Sequence, residues 1–306
     1  MTTALPPDVQ DGLAIGAPSL ATVGSSLEAG TQARPRTLAR RLLRSKTFIA
    51  GAVILGFWIV CAIFGPLFVP HDPLGQNLLN VNNSPSATYW FGTDQLGRDV
   101  LSRVIVGARE ILEITPLATM LGTAAGTALG LVMGYFGGIV DNILGRLVDA
   151  VLALPLVIVA FLFIVALGAS TLTLVVVIGM VFTPLIARTV RSAVLGERQL
   201  EYVATAKLRG EHAPYIMFVE ILPNVLAPII VEFTVRLGYA IFTVATLSFL
   251  GFGVQPPTPD WGADISANYV VIQQYWWETL FPALAIALLI VSVNLVSDGL
   301  EKTLSS

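Results

Sequence analysis

The sequence predicts an all-α membrane protein with six transmembrane helices and both termini on the cytoplasmic side. Three observations predict it. The 306-residue chain is 55% hydrophobic and only 12% charged, with a mean hydropathy of +0.79, where soluble domains carry about 25% charged residues. Its apolar residues gather into uncharged runs, and roughly 20 such residues suffice to cross a bilayer. Its Lys and Arg residues fall mostly on one side of those runs.

The elements follow in order. Residues 1–33 contain no Lys or Arg and no apolar core, so no secretory leader is expected, since a leader needs both. Rich in Ala, Gly, Ser, Thr and Pro, residues 1–37 read as a disordered cytoplasmic tail. Thr47 to Val69 is the first uncharged run, and Ile114 to Val140 is the second. Ala150 to Ala187 is uncharged throughout and broken by Gly168-Ala169-Ser170-Thr171, so two spans joined by a tight turn are expected there. Ile221 to Leu250 is the fifth span, with Glu232 and Arg236 inside it, and Thr279 to Ser297 is the sixth.

With the N-terminus inside, 13 of the 17 Lys and Arg residues lie in cytoplasmic segments. Arg98, Arg103 and Arg109 are then assigned to external loops, and Arg236 lies within a span. This bias fixes an N-in, C-in orientation. The second span carries Gly122, Gly126, Gly130 and Gly134. That stripe makes a flat face for close approach of a second helix, expected to lie in the same chain.

The connection between the fourth and fifth spans is too patterned to be a plain loop. Leu195, Leu200, Val203 and Ala206 recur near helical spacing among Glu197, Arg198, Glu201 and Lys207, which predicts an amphipathic helix. Lys207 and Arg209 suit its last turn, Gly210 its C-cap, and Pro214 the first turn of a following helix carrying Ile216, Met217 and Phe218. An apolar face held outside the bilayer needs something to cover it. Either the chain's own spans and the membrane surface do so, or a cytoplasmic partner does.

Several chemistries are excluded. No G-x-x-x-x-G-K-[ST] sequence occurs, so the chain has no phosphate-cradling loop of that kind. Neither G-x-S-x-G nor H-E-x-x-H is present, which argues against an intramembrane hydrolase. Cys61 stands alone, so no internal disulfide or multi-cysteine metal site forms. His71 and His212 fall on opposite faces of this topology, and no metal site is expected. Glu232 and Arg236, spaced i and i+4 within a span, read either as an internal salt bridge or, with Asn294, as candidate translocation-path residues. Asp94, Arg98 and Asp99 on an external loop, and Asp260 and Trp261 after a proline cluster, are candidate external contacts. Trp261, Trp276 and Trp277 are placed like an interfacial aromatic belt.

Four segments together carry a resemblance. Glu201-Tyr-Val-Ala-Thr-Ala206-Lys-Leu-Arg-Gly210 with Ile221-Leu222-Pro223-Asn224 is similar to the EAA loop of ABC importer permeases. The matching positions are Ala204, Thr205, Ala206 and Gly210. The first Glu and first Ala of that motif are replaced, and Glu220 stands where the peptide group often has His. Phe91-Gly-Thr-Asp94-Gln-Leu-Gly-Arg98-Asp99-Val-Leu-Ser-Arg103, Gly134-Tyr-Phe-Gly-Gly138, and Leu247-Ser-Phe-Leu-Gly251 through Asp260-Trp-Gly262 resemble the peptide/nickel branch. The arginine-rich segment before the first span is typical of its C-type subunit.

The resemblance implies a type I ABC importer permease fold in a bacterial inner membrane. It implies an N-terminal helix with an external loop over residues 38–110, and a core permease domain over 111–306 with its coupling loop at 195–224. It further implies a B-type permease as heterodimer partner, two cytoplasmic ATPases and an extracytoplasmic binding protein, with no role for nucleic acid. Coupling to the ATPases would fall to Glu201, Ala204, Thr205, Ala206, Gly210, Leu222 and Pro223. This chain would bind no cofactor and hold no catalytic residue, ATP and Mg belonging to the ATPases. Di- and oligopeptides are the expected substrates, with nickel chelates, other metal chelates or haem as alternatives in the same branch. An ATPase-independent secondary transporter is the alternative of a different class, and it would need no patterned cytoplasmic helix pair.

Overall fold

A computed structural model describes residues 42–304, so the predicted tail over residues 1–37 lies outside the described residues. Every regular element within them is helical. The main helices are α1 (Lys46–Phe68), α2 (Val100–Phe136), α3 (Gly138–Leu152), α4 (Leu156–Leu167), α5 (Thr171–Glu197), α6 (Glu201–Leu208), α7 (Ala213–Tyr215), α8 (Leu226–Phe249), α9 (Trp261–Asn268) and α10 (Trp276–Leu304). Local sequence explains their starts. Ser45, Asp99, Ser170 and Asp260 each accept a backbone N–H from the first turn of α1, α2, α5 and α9, satisfying one donor that a helix start otherwise leaves unpaired.

The glycine stripe explains how the bundle closes. A Cβ at Gly122 would lie 2.8 Å from Gly179 O, one at Gly126 2.7 Å from Ile186 Cβ, one at Gly130 2.7 Å from Val190 Cβ, and one at Gly134 2.6 Å from Val194 Cγ1. Only glycine admits α5 this closely. Because the numbering rises along both helices together, α2 and α5 run parallel. The chain between them must therefore return across the membrane.

That return differs from the expectation of one straight span starting at Ala150. Its apolar helix α4 has 12 residues, or about 18 Å at 1.5 Å per residue, too short for a bilayer of about 30 Å. It is entered from α3, which is bent 85° from α4. The charged residues Asp141, Arg146 and Asp149 on α3 are what hid it from a search for uncharged runs. Five helices are long and apolar enough to cross a membrane, and the bent α3–α4 pair taken as one span makes six.

Around the α2–α5 pair, α1 packs antiparallel on α10, where Gly51 admits Ser292 and Leu295 and Gly299 admits Phe48. Helix α8 packs antiparallel on α10 through Gly238 against Asn294 and a hydrogen bond between the Thr234 and Ser297 hydroxyls at 2.8 Å.

Three further expectations are corrected. Arg103 and Arg109 lie in helix α2 rather than in a loop. Trp261 and Trp277 are buried, at 0% and 6% exposure, and only Trp276 is exposed. Trp261 fills the space opened by Gly107, donates from Nε1 to Val104 O at 2.9 Å and packs edge-on against Trp58; it is a core pillar, not part of a belt. Leu195 belongs to α5, and the amphipathic helix starts only at Glu201 after a turn at Gln199-Leu200.

Candidate coupling site

The element between α5 and α8 is built on a helix stop. In α6, Gly210 N–H bonds Lys207 O at 3.0 Å and Glu211 N–H bonds Ala206 O at 3.2 Å. This paired closure needs a left-handed residue at the position of Gly210, whose φ is +80°. The chain reverses and enters α7 with Pro214 in its first turn. It then runs through a wide turn at Ile216–Ile221 and a tight one at Leu222–Val225 into α8.

The two arms share a small core. Val203, Ala206, Ile216 and Ile221 are fully buried and Met217 nearly so. Other apolar side chains of the element are open: Leu208 is 88% exposed, and Tyr215, Phe218 and Val219 are exposed as well. Among the residues expected to couple, Ala206 is buried and Leu222 half-buried, while Glu201, Ala204, Thr205, Gly210 and Pro223 are exposed.

Polar contacts fix this element to the bundle. Tyr202 donates to Glu197 Oε2 at 2.7 Å and accepts from Asn224 Nδ2 at 3.2 Å, while Asn224 also donates to Glu220 O. Burial, and then the Glu197 hydrogen bond, push the Tyr202 hydroxyl up to about 12. Arg209 bonds Glu220 across the turn at 2.8 Å. Lys207 lies 5.3 Å above the Tyr135 ring at the end of α2. Arg198 donates to Gly134 O and Tyr135 O, satisfying carbonyls that the end of α2 leaves free. Arg191 and Asp141 form a forked pair joining α5 to α3. These partners lie 4 to 72 residues apart, mostly with no periodic signal to announce them. Tyr202, Glu197 and Arg209 were accordingly missed as network members by sequence reasoning.

On the external side the candidate loop residues turn inward on one another. Asp94 accepts Arg98 Nε at 2.6 Å and the N–H groups of Leu96 and Arg98. Asp99 caps α2 through Ser102. Asp260 caps α9, accepting Ala263 N–H and the Ser248 hydroxyl, each at 2.9 Å. Burial pushes its carboxyl above the ordinary range despite those two bonds. A buried pair not anticipated, Arg103 with Asp264, ties α2 to α9 through a forked contact. There too burial raises the carboxyl, with Arg103 opposing it.

Inside the membrane, Glu232 and Arg236 are joined at 2.6 Å on α8 and are half-buried. Asn294 is exposed on α10 and borders a groove of about 390 Å³ with Gly238, Tyr239 and Asp298.

The chain is similar in sequence to known proteins. Residues 126–306 match the family described as binding-protein-dependent transport system inner membrane component. Residues 36–85 match the N-terminal TM domain of oligopeptide transport permease C. The dipeptide transport system permease protein DppC of Alkalihalophilus pseudofirmus is 38% identical, with 88% of each chain covered. The di/tripeptide transport system permease protein DppC of Pseudomonas aeruginosa is 36% identical over 85% of this chain and 88% of its own. The glutathione transport system permease protein GsiD of Shigella flexneri is 39% identical over 87% and 88%.

Proposed function

This chain belongs to the family of binding-protein-dependent transport system inner membrane components, and on that basis we propose that it is the C-type permease subunit of an ATP-driven importer of di- and oligopeptides. The peptide assignment draws on the relatives' names, which specify dipeptide, di/tripeptide and glutathione transport. The multi-pass chain lies in the bacterial inner membrane and forms half of a translocation pathway completed by a B-type permease. Two cytoplasmic ATPases supply the energy, and an external binding protein delivers the substrate. The chain itself is a non-catalytic subunit, and ATP and Mg reside on its partners.

One observation carries the reading: the element between α5 and α8 buries Val203, Ala206, Ile216 and Ile221 while leaving the apolar side chains of Leu208, Tyr215, Phe218 and Val219 exposed. Such a patch marks a protein interface. Motion would be passed on as a rigid body. Nucleotide closes the ATPases, α6 and α7 follow, and the contacts of Arg198, Lys207 and Tyr202 drag the cytoplasmic ends of α2 and α5 with them. The ion pair, the turn and the core make this element stiff enough for that role.

Reconstituted vesicles test it. The complete complex with its binding protein takes up labelled di- or tripeptide only when nucleotide is hydrolysed. Uptake by the permease pair alone, or none by the complete complex with any peptide, contradicts the proposal.

A further inference from the structure

We propose that Arg109 and Glu113 on α2 form a station in the outer half of the translocation path that holds the charged ends of a peptide in transit, an inference that rests on the peptide reading above. The first ground is depth. Arg109, Leu112, Glu113 and Pro116 line one groove with Leu55, Ile59, Ala62 and Ile63 of α1, and Gly65 meets Ile105. Helix α1 lies in the uncharged run Thr47 to Val69, so Ile59 and Ala62 stand near its middle. Arg109 and Glu113 therefore sit well inside the apolar layer, where charge facing lipid is costly and ionisable residues face water or one another.

The second ground is that neither charge is closed in a direct contact, the nearest opposite charge to Arg109 being its chain neighbour Glu110. Both side chains are exposed, and among the described residues neither has an ion pair or hydrogen bond. The contrast with α8 explains why. Glu232 precedes Arg236 by four residues, the favourable order for a helical pair, and the two are joined; Arg109 precedes Glu113 by four, the unfavourable order. One pair is closed on itself and the other stands open.

The third ground is fit. The groove holds about 500 Å³, within the range of about 300–1,000 Å³ typical of small-molecule sites. Its walls are otherwise apolar, as side chains of varied peptides require. What peptides of different sequence share is a carboxylate at one end and an ammonium at the other. Arg109 matches the first through its forked donors. Glu113 matches the second.

The test uses the assembled complex with Cys61, its single cysteine in this chain, replaced by Ala. Arg109→Cys and Glu113→Cys are treated from the external side with a charged, membrane-impermeant thiol reagent, and compared with Val53→Cys, exposed on α1. The proposal expects both α2 thiols to react at least about tenfold faster than the control while the transporter turns over, and to be protected by peptide. In parallel, R109Q and E113Q each lower uptake of a free tripeptide by about tenfold or more, the loss of one charge-assisted contact, with assembly and binding-protein-stimulated hydrolysis retained. Unreactive thiols, or reactivity that peptide does not change, overturn it, because the charges then face the second permease or a lipid headgroup. Unaltered uptake by both variants overturns it as well. A wild-type complex that moves no peptide at all points instead to failure of the peptide reading, and the station falls with it.

Discussion

Arg209 Nη2 bonds Glu220 Oε1 at 2.8 Å, linking the last turn of α6 to the wide turn beyond Gly210. Because Arg209 is about half exposed, such a pair contributes about 1 kcal/mol or less. Its value lies in geometry: it holds the two arms of the coupling element at one angle while a partner pushes on the tip.

Arg209→Gln should therefore leave thermal stability of the complex nearly unchanged but lower the peptide transported per ATP hydrolysed. Paired measurement of uptake and phosphate release in the same vesicles checks this. A parallel fall in both would show that the pair affects docking rather than angle.

Gly210 has φ +80° with no atom within 4 Å of where a Cβ would stand. The cost of substitution is then backbone strain alone, about 1–2 kcal/mol for most residues and least for Asn. Gly210→Asn should retain most uptake, whereas Gly210→Val, β-branched, should abolish it with membrane insertion intact. Ala206→Asp, which buries a charge at a fully enclosed position, should do the same. Uptake beside ATPase co-purification distinguishes lost coupling from lost chain.

The α2 glycines separate packing from conformation. A methyl at Gly126 meets Ile186 Cβ at 2.7 Å and Thr183 O at 2.9 Å, while one at Gly196 meets nothing. Gly126→Ala should destabilise by about 1–3 kcal/mol through overpacking, and Gly196→Ala should not. Thermal denaturation in detergent reads the difference.

Asp260 gives a pH prediction. Burial holds its carboxyl above the ordinary 3.8 in the folded chain, so over that window the unfolded state releases its proton first. Stability should fall as pH rises from 3.8 to the raised value and be flat above it. Asp260→Asn should reduce this slope in the melting temperature, the remainder coming from Asp264, whose carboxyl burial also raises. Tyr202 behaves differently: held at about 12 by burial and Glu197, it keeps its proton and stays a donor up to about pH 9.

Much of this fold was legible because the bilayer imposes simple rules. Uncharged runs located α1, α5 and α10, an apolar run holding only Glu232 and Arg236 located α8, and Gly210 with Lys207 and Arg209 marked the stop of α6. What escaped had physical reasons. Asp141, Arg146 and Asp149 broke the charge rule on α3 because Arg191 neutralises Asp141 from fifty residues away. Arg103 and Arg109 looked like loop residues because α2 continues past the apolar run, with Arg103 buried against Asp264. Trp261 resembled a belt residue because sequence does not reveal that Gly107 leaves room for an indole. At the coupling site the glycine stop was readable, but the Tyr202 and Arg209 contacts were not, since they join segments that only the turn brings together.

The central claim is that α6 and α7 form the surface on which an ATPase acts. Leu208→Cys, at the exposed tip, tests it most directly when paired with single cysteines on the ATPase subunits in intact membranes. The account predicts a disulfide whose yield changes between nucleotide-bound and nucleotide-free states and which arrests uptake once formed. Labelling of that cysteine by an impermeant reagent from the external side, with no cross-link in any nucleotide state, would contradict it.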